Sequence, residues 1–142
     1  MQLTTEERQR AGDIETLTRT LAPQLLDQPG VGPLAAAQLV ISWSHPGRIR
    51  SEAAFARLAG CAPVPASSGL TIRYRLDRSG DRRLNRALHM ILVTRRRAHP
   101  PTIAYIHRRT QEGKTSREAI RCLKRYLARS LYRLLENPPM PA

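Results

Sequence analysis

Lysine, acidic groups and aromatics are all scarce in this 142-residue chain, and each shortage narrows what it can be. Lysine occurs only at Lys114 and Lys124, so the 24 cationic residues are nearly all arginine, against 11 acidic residues. The carboxylates (Asp13, Glu15, Asp27, Asp77 and Asp81 among them) are scattered and make no metal constellation, and His99 and His107 lack ligand company. Two cysteines, Cys61 and Cys122, give neither a disulfide framework nor zinc spacing, which fits a reducing cytoplasm. No apolar run approaches the roughly 20 residues of a spanning helix, and the start, Met1-Gln-Leu-Thr-Thr-Glu-Glu-Arg8, has no signal-peptide pattern. The expectation is a cytoplasmic protein that does not engage a membrane. At 4% aromatics, few side chains are left for stacking single-stranded bases: Trp43, Tyr74 and the C-terminal tyrosines. There is no internal repeat and no long low-complexity linker.

What the chain does have is positive charge, a formal +13. Such a chain binds polyanions unless something covers it, and nucleic acid is the default partner. Acidic surfaces or a membrane face are the other partner classes for such charge. Arginine forks match phosphate in a bidentate way, although a GC-rich genome also favours arginine codons.

Periodicity predicts a mainly helical domain. Residues from about Thr5 to Leu21 read as a helix capped by Thr4 or Thr5, with Ile14, Leu17 and Leu21 on one face. That apolar face is thin and is expected to pack on something outside the chain or on a second copy. Next, Leu25-Leu-Asp-Gln-Pro-Gly-Val-Gly-Pro33 leads into an alanine-rich helix ending near Ile41. This pattern points to a helix-hairpin-helix element. Gly30 and Gly32 would permit its turn, and Pro33 suits the first position of the second helix. The exposed N–H groups there would hold a phosphate, without reading sequence; an ordinary tight turn between helices is the plainer alternative. Trp43-Ser-His-Pro-Gly-Arg48 reads as a loop with Trp43 as a packing anchor. Ser51 caps a short helix, Glu52 to Leu58, with Ala53, Phe55 and Leu58 as core and Gly60 as its end. A helix from about Arg82 to Arg97 buries Leu84, Ala87, Leu88, Ile91 and Leu92, and its other face is basic. Pro100-Pro101 breaks it and starts the next. In the last helix Thr115 and Glu118 form a capping box. Ile120, Leu123, Leu127, Leu131 and Leu134 follow at helical spacing.

Between the helices at 52–58 and 82–97 lies the stretch richest in chemistry. Two prolines, Pro63 and Pro65, precede Ser67-Ser68-Gly69, and Thr71-Ile-Arg-Tyr-Arg-Leu76 then alternates as a half-buried strand does. A small β-hairpin around residues 61–76 is expected, carrying a hydroxyl pair with arginines close by. A phosphodiester-handling site needs such parts: a nucleophile on rigid backbone and cations where negative charge accumulates. Equally, Ser-Ser-Gly is a common turn, and arginine-rich helices are usually solvated.

The ordered set Pro29-Gly-Val-Gly-Pro33, Arg50-Ser-Glu-Ala-Ala-Phe-Ala-Arg-Leu-Ala-Gly60, Ala62-Pro-Val-Pro-Ala-Ser-Ser-Gly69 and Gly80-Asp-Arg-Arg-Leu-Asn-Arg-Ala-Leu88 resembles the C-terminal half of DEDD-type insertion-sequence transposases, also described as bridge-RNA-guided recombinases. It covers about Leu25 to Leu135, and several motifs in order are more specific than any one. The resemblance implies a helical domain with a helix-hairpin-helix and a serine before glycine that attacks DNA, giving a phosphoserine-linked intermediate. The matching position is Ser68, with Ser67 as the neighbouring alternative. It also implies an N-terminal RuvC-like domain with four metal-binding carboxylates, a coiled coil, a guide RNA and a homo-oligomer. The residues themselves, not the family motif, suggest Arg73, Arg75 and Arg78 for charge stabilisation. Arg82, Arg83 and Arg86, with Gly30 and Gly32, are expected to contact DNA.

The expected organisation is a helical stub of the coiled coil at 1–22, a transposase C-terminal domain at 23–137 and a disordered tail at 138–142. No cofactor is expected in these residues; a divalent metal such as Mg would belong to the RuvC-like half, without which the isolated chain is expected to be incomplete. Two other readings compete: a DNA-binding module or inactive truncated transposase without chemistry, and an RNA-binding protein.

Overall fold

The computed structural model describes residues 4–62, 64–68, 71–75 and 80–140, and for 64–68 and 71–75 it describes the backbone. The fold is mainly helical. Among the described residues the order is α1 (Thr5–Leu21), α2 (Pro23–Leu26), α3 (Pro33–Trp43), α4 (Glu52–Leu58), β1 (Val64–Ser68), β2 (Thr71–Arg75), α5 (Arg82–Ala98), α6 (Pro100–Gln111) and α7 (Ser116–Glu136). The two strands pair antiparallel, with Val64 opposite Arg75 and Ser68 opposite Thr71.

One apolar core joins α2, α3, α4, α5 and α7. Its largest fully buried side chains are Phe55, Leu25, Leu39, Leu84, Leu88, Ile91 and Leu131. Helix α5 supplies Leu84, Ala87, Leu88, Ile91 and Leu92, the stripe its periodicity predicts. Helix α7 buries Leu127, Leu131 and Leu135, with Ala128 and Tyr132 beside them. Phe55 of α4 meets the Tyr132 ring at 5.6 Å between centroids, and the Tyr132 hydroxyl donates to the Ile49 carbonyl at 2.7 Å. The far end of the core is closed by Glu136, whose carboxylate accepts from the Trp43 indole at 2.9 Å and from the Gly47 amide at 3.3 Å. Trp43 is thus an anchor between α3 and α7.

Local details depart from the sequence expectation in several places. Helix α3 continues two residues past Ile41 to Trp43, because the buried indole keeps packing after the alanine run ends. In α4 the buried residues are Phe55 and Ala56, with Leu58 half-buried and Ala53 exposed; two turns offer too few positions for periodicity to fix the buried face. Gly32 has an ordinary extended backbone as the N-cap of α3, φ −89°, so only Gly30, φ +75°, needs glycine at that turn. Helix α1 is capped by Thr4 and, contrary to the expectation of a partner outside the chain, packs against α3 with Thr18 buried, while Leu17 and Leu21 remain exposed.

Helix α7 begins with a reciprocal cap. The Thr115 hydroxyl accepts from the Glu118 amide at 3.2 Å, and the Glu118 carboxylate accepts from the Thr115 amide at 2.8 Å. Thr115→Ala removes the first bond and is expected to destabilise by about 1 kcal/mol, a fall in Tm of roughly 3 °C measurable by thermal denaturation.

Candidate nucleic-acid interface

The chain between α4 and α5 leaves the helical core and returns to it at nearly one point. At the outgoing end α4 closes with a Schellman motif. The Cys61 amide donates to the Ala56 carbonyl at 2.8 Å and the Gly60 amide to that of Arg57 at 3.0 Å, with Gly60 at φ +70°. At the returning end Gly80, φ +96°, lies so close to the Leu58 carbonyl that an added Cβ would collide with its oxygen. The next amide, Asp81, donates to the same carbonyl at 2.7 Å. One helix terminus therefore holds both ends of the segment that contains β1 and β2.

Asp81 then fixes α5. Its carboxylate accepts from the Leu84 amide at 3.0 Å as the N-cap and from the Ser42 hydroxyl of α3 at 2.7 Å. Ser42 in turn accepts from Gln38 at 2.9 Å. One turn further on, the Asn85 side chain donates to the Ala59 carbonyl at 2.7 Å and accepts from the Lys124 ammonium of α7 at 3.3 Å. Four helices thus converge on the strand root. Burial works to raise the Asp81 pKa, but the bonds from Ser42, Leu84 and Arg83 and the charge of Arg83 outweigh it, and the pKa falls below the ordinary 3.8. Burial lowers the Lys124 pKa; the Cys61 thiol opposes the shift and the Arg121 charge adds to it.

Helix α5 carries the basic residues outward. Arg82, Arg83 and Arg86 are exposed on its first two turns, directly after the root. Ser67 and Ser68 are the last two residues of β1, in register with Ile72 and Thr71; Arg73 and Arg75 lie in β2 opposite Ala66 and Val64. Arg78, Gly69 and Leu76 lie outside the described residues. Gly30 is elsewhere. Its turn presses on the later part of α5, where a Cβ would come 2.9 Å from the Ile91 carbonyl oxygen and 3.1 Å from Arg95 Cγ. Arg95 donates to the Pro29 carbonyl at 2.7 Å, and its burial lowers its pKa. At 1.5 Å per residue, the stretch of α5 from Asp81 to Ile91 and Arg95 spans about 15–20 Å. The Gly30 turn and the Arg82–Arg86 group are therefore two separate positions on one rigid helix. The segment preceding Gly30, α2, is a single turn of four residues.

The root residues Ser42, Gly80, Asp81, Asn85 and Lys124 are absent from the site expected from the sequence. Asp81 had a local signal, an acidic residue just before an arginine-rich helix. Ser42 and Lys124 had none, since each bonds to a residue 39 positions away.

The family model described as the Transposase IS116/IS110/IS902 family matches residues 22–107, more than half of the chain. The chain belongs to this transposase family. It is 32% identical over 118 residues to the Insertion element IS110 uncharacterized 43.6 kDa protein of Streptomyces coelicolor, covering 82% of this chain and 29% of the relative. It is 30% identical over 115 residues to the Insertion element IS900 uncharacterized 42 kDa protein of Mycobacterium paratuberculosis, covering 80% of this chain and 29% of that relative. The chain thus spans less than a third of the length of these relatives. The part matched by the transposase family model runs from α2 into α6, and so includes the strand root and Arg82–Arg86; α1 and α7 flank it. No helix among the described residues is long and apolar enough to cross a membrane.

Two tests address the root. Gly80→Ala places a Cβ at positive φ against a backbone carbonyl, so a loss of roughly 2–4 kcal/mol is expected, seen as a Tm lower by about 10 °C. Asp81 has a lowered folded pKa, so its ionised form contributes stability above the unfolded pKa, and this is lost as pH falls through the folded value. Asp81→Asn keeps a capping side chain without the charge. Wild type is expected to exceed this variant in urea-unfolding stability at pH 6 and to lose the advantage below about pH 3.8. A gap that stayed constant across that range would count against the charge.

Proposed function

We propose that this chain is the DNA-handling part of an insertion-element transposase of the DEDD type, in which Ser68 is the nucleophile. The observation that carries the proposal is the coincidence of the family match with the strand root: Ser67 and Ser68 lie on a segment whose two ends are held by one helix terminus, beside exposed arginines. In this reading the Ser68 oxygen bonds to a DNA phosphorus and its proton is lost. The bond from that phosphorus to the departing strand breaks, and the departing oxygen takes up a proton. The phosphate stays on the protein, so an incoming strand can displace the serine and rejoin the backbone without an external energy source. Arg73, Arg75 and Arg78 balance the charge that develops, and Arg82, Arg83 and Arg86 hold the neighbouring backbone. The strands form the β-hairpin that presents the serine. The Gly30 turn and the start of α3, with Gly32 as its cap, form the helix-hairpin-helix contact on a more distant phosphate.

Among the described residues no group of three or more His, Cys, Asp or Glu is placed to hold a metal ion. In this reading a divalent metal belongs to a RuvC-like half, and a guide RNA and further copies of the complete enzyme are its partners in the cytoplasm. The competing reading is DNA binding without chemistry, which the exposed arginines alone would support.

Covalent capture separates the two. The chain is incubated with supercoiled DNA carrying element ends, with and without a supplied N-terminal half and guide RNA, and resolved on denaturing gels. A protein–DNA adduct is expected in the complete mixture and is expected to vanish with Ser68→Ala while DNA binding persists. An adduct that survives at the wild-type level would remove Ser68 from the chemistry and bring Ser67 forward.

A further inference from the structure

The positive charge is unevenly placed. After Ser79 come 15 of the 24 lysines and arginines but only four of the 11 acidic residues, so 11 of the 13 net charges lie in the part that forms α5, α6 and α7. Helix α1, by contrast, pairs Arg10 with Glu6 and Arg19 with Glu15 along its own surface.

Within the C-terminal part the carboxylates are also engaged. Glu112 pairs with Arg108 and Arg109, Glu52 of α4 takes Arg129 and Arg133, and Glu118 is used by the α7 cap. Arg117, Arg121 and Arg125 remain, at four-residue intervals on α7, and none has an ion pair within 4.0 Å among the described residues. Arg117 and Arg121 are exposed and Arg125 is partly so. This spacing gives one stripe, rising about 6 Å per step. Beside it Tyr126 is 51% exposed, with the Arg125 guanidinium 5.4 Å from its ring centroid and Tyr105 set edge-on at 6.4 Å.

The stripe adjoins the strand root. Lys124, between Arg121 and Arg125, makes the 3.3 Å contact to Asn85, and Asn85 sits next to Arg86 on α5. His89, one turn along α5, has its pKa lowered by burial and then by the Lys124 charge. The seam between the two helices therefore concentrates positive charge that no ion pair among the described residues offsets, an arrangement that a polyanion lying across it would relieve.

We propose that α7 carries a second phosphate-backbone track, Arg117–Arg121–Arg125 with the Tyr126 hydroxyl as a neutral donor, continuous across the Asn85–Lys124 seam with Arg82 and Arg86. A single nucleic-acid duplex held at the strand root would then also lie along α7. This rests on the nucleic-acid reading of the root and extends it to a helix that the family match does not cover. A stripe of about 12 Å runs past about three to four phosphates of one strand, enough to pair with three arginines.

The test is equilibrium binding of the whole chain to a labelled DNA duplex, and separately an RNA duplex, across a salt series. Arg117→Gln/Arg121→Gln/Arg125→Gln is compared with Arg82→Gln/Arg86→Gln. Glutamine matches arginine in helix propensity, and unchanged Tm values confirm folding. The α7 variant is expected to weaken binding at least tenfold at moderate salt and to reduce the slope of log affinity against log salt by about 2–3. Tyr126→Phe is expected to weaken binding without changing that slope. Loss with both duplexes, or with one alone, supports the track and tells which nucleic acid uses it. If the α7 variant binds as wild type does while the α5 variant is impaired, the track is overturned and the root reading stands. If wild type binds neither duplex, both fall together.

Discussion

The Leu58 carbonyl is the point on which the arrangement depends. It is the last helical residue of α4, where carbonyls lose their intrahelical partners. Here the missing partner is supplied by the Asp81 amide, from beyond the strands. That bond requires Gly80 in a conformation only glycine adopts easily, with no side chain between the two backbones. Because Asp81 is also the N-cap of α5 and the acceptor for Ser42, a single backbone contact sets where α4 ends, where α5 begins and how α5 meets α3. The strands between can project only from that closure.

Such a root suits the segment to which the proposed mechanism assigns the reactive serine. Chemistry on a phosphodiester demands placement to within a fraction of an ångström, yet a strand pair alone is marginally stable in water. Stiffness has to come from its attachment. Asn85 and Lys124 extend the attachment to α7, so the longest helix among the described residues also bears on it. Helix α5 adds a second constraint, holding the Gly30 turn at a fixed distance from Arg82 and Arg86. In the proposed reading, two contacts on one rigid rod select a backbone geometry that neither alone could.

The helices were largely legible in the sequence. The Thr115–Glu118 box and the α5 stripe are local patterns that survive into the fold; the α7 stripe survives in part, with Leu127 and Leu131 buried, Ile120, Leu123 and Leu134 only partly so, and Leu135 buried in place of Leu134. The short helix α4 was legible as an element but not in its buried face, where Ala56 replaced Ala53, because small alanines carry too little apolar area to declare a direction. For the candidate site, the exposure of Arg82, Arg83 and Arg86 followed from the amphipathic pattern of α5. The brace behind them did not: Ser42, Asn85 and Lys124 are ordinary polar residues locally, and their bonds join positions 26 and 39 apart. Of the two glycines in the Pro29–Pro33 turn, composition could not tell that only Gly30 is pressed against another helix.

The distribution of charge follows the same division between local and distant pairing. Helix α1 neutralises itself with acidic residues four positions before its arginines, a pattern that needs no partner. Helix α7 spends its longer-range pairs at its C-terminal end, where Arg129 and Arg133 reach Glu52 and help join α4 to the core. Its N-terminal half, beside the strand root, keeps arginines without such partners. Exposed ion pairs are each worth little, so their absence is not a loss of stability that the fold had to avoid. It leaves that surface with the uncompensated positive potential that the proposed phosphate track requires.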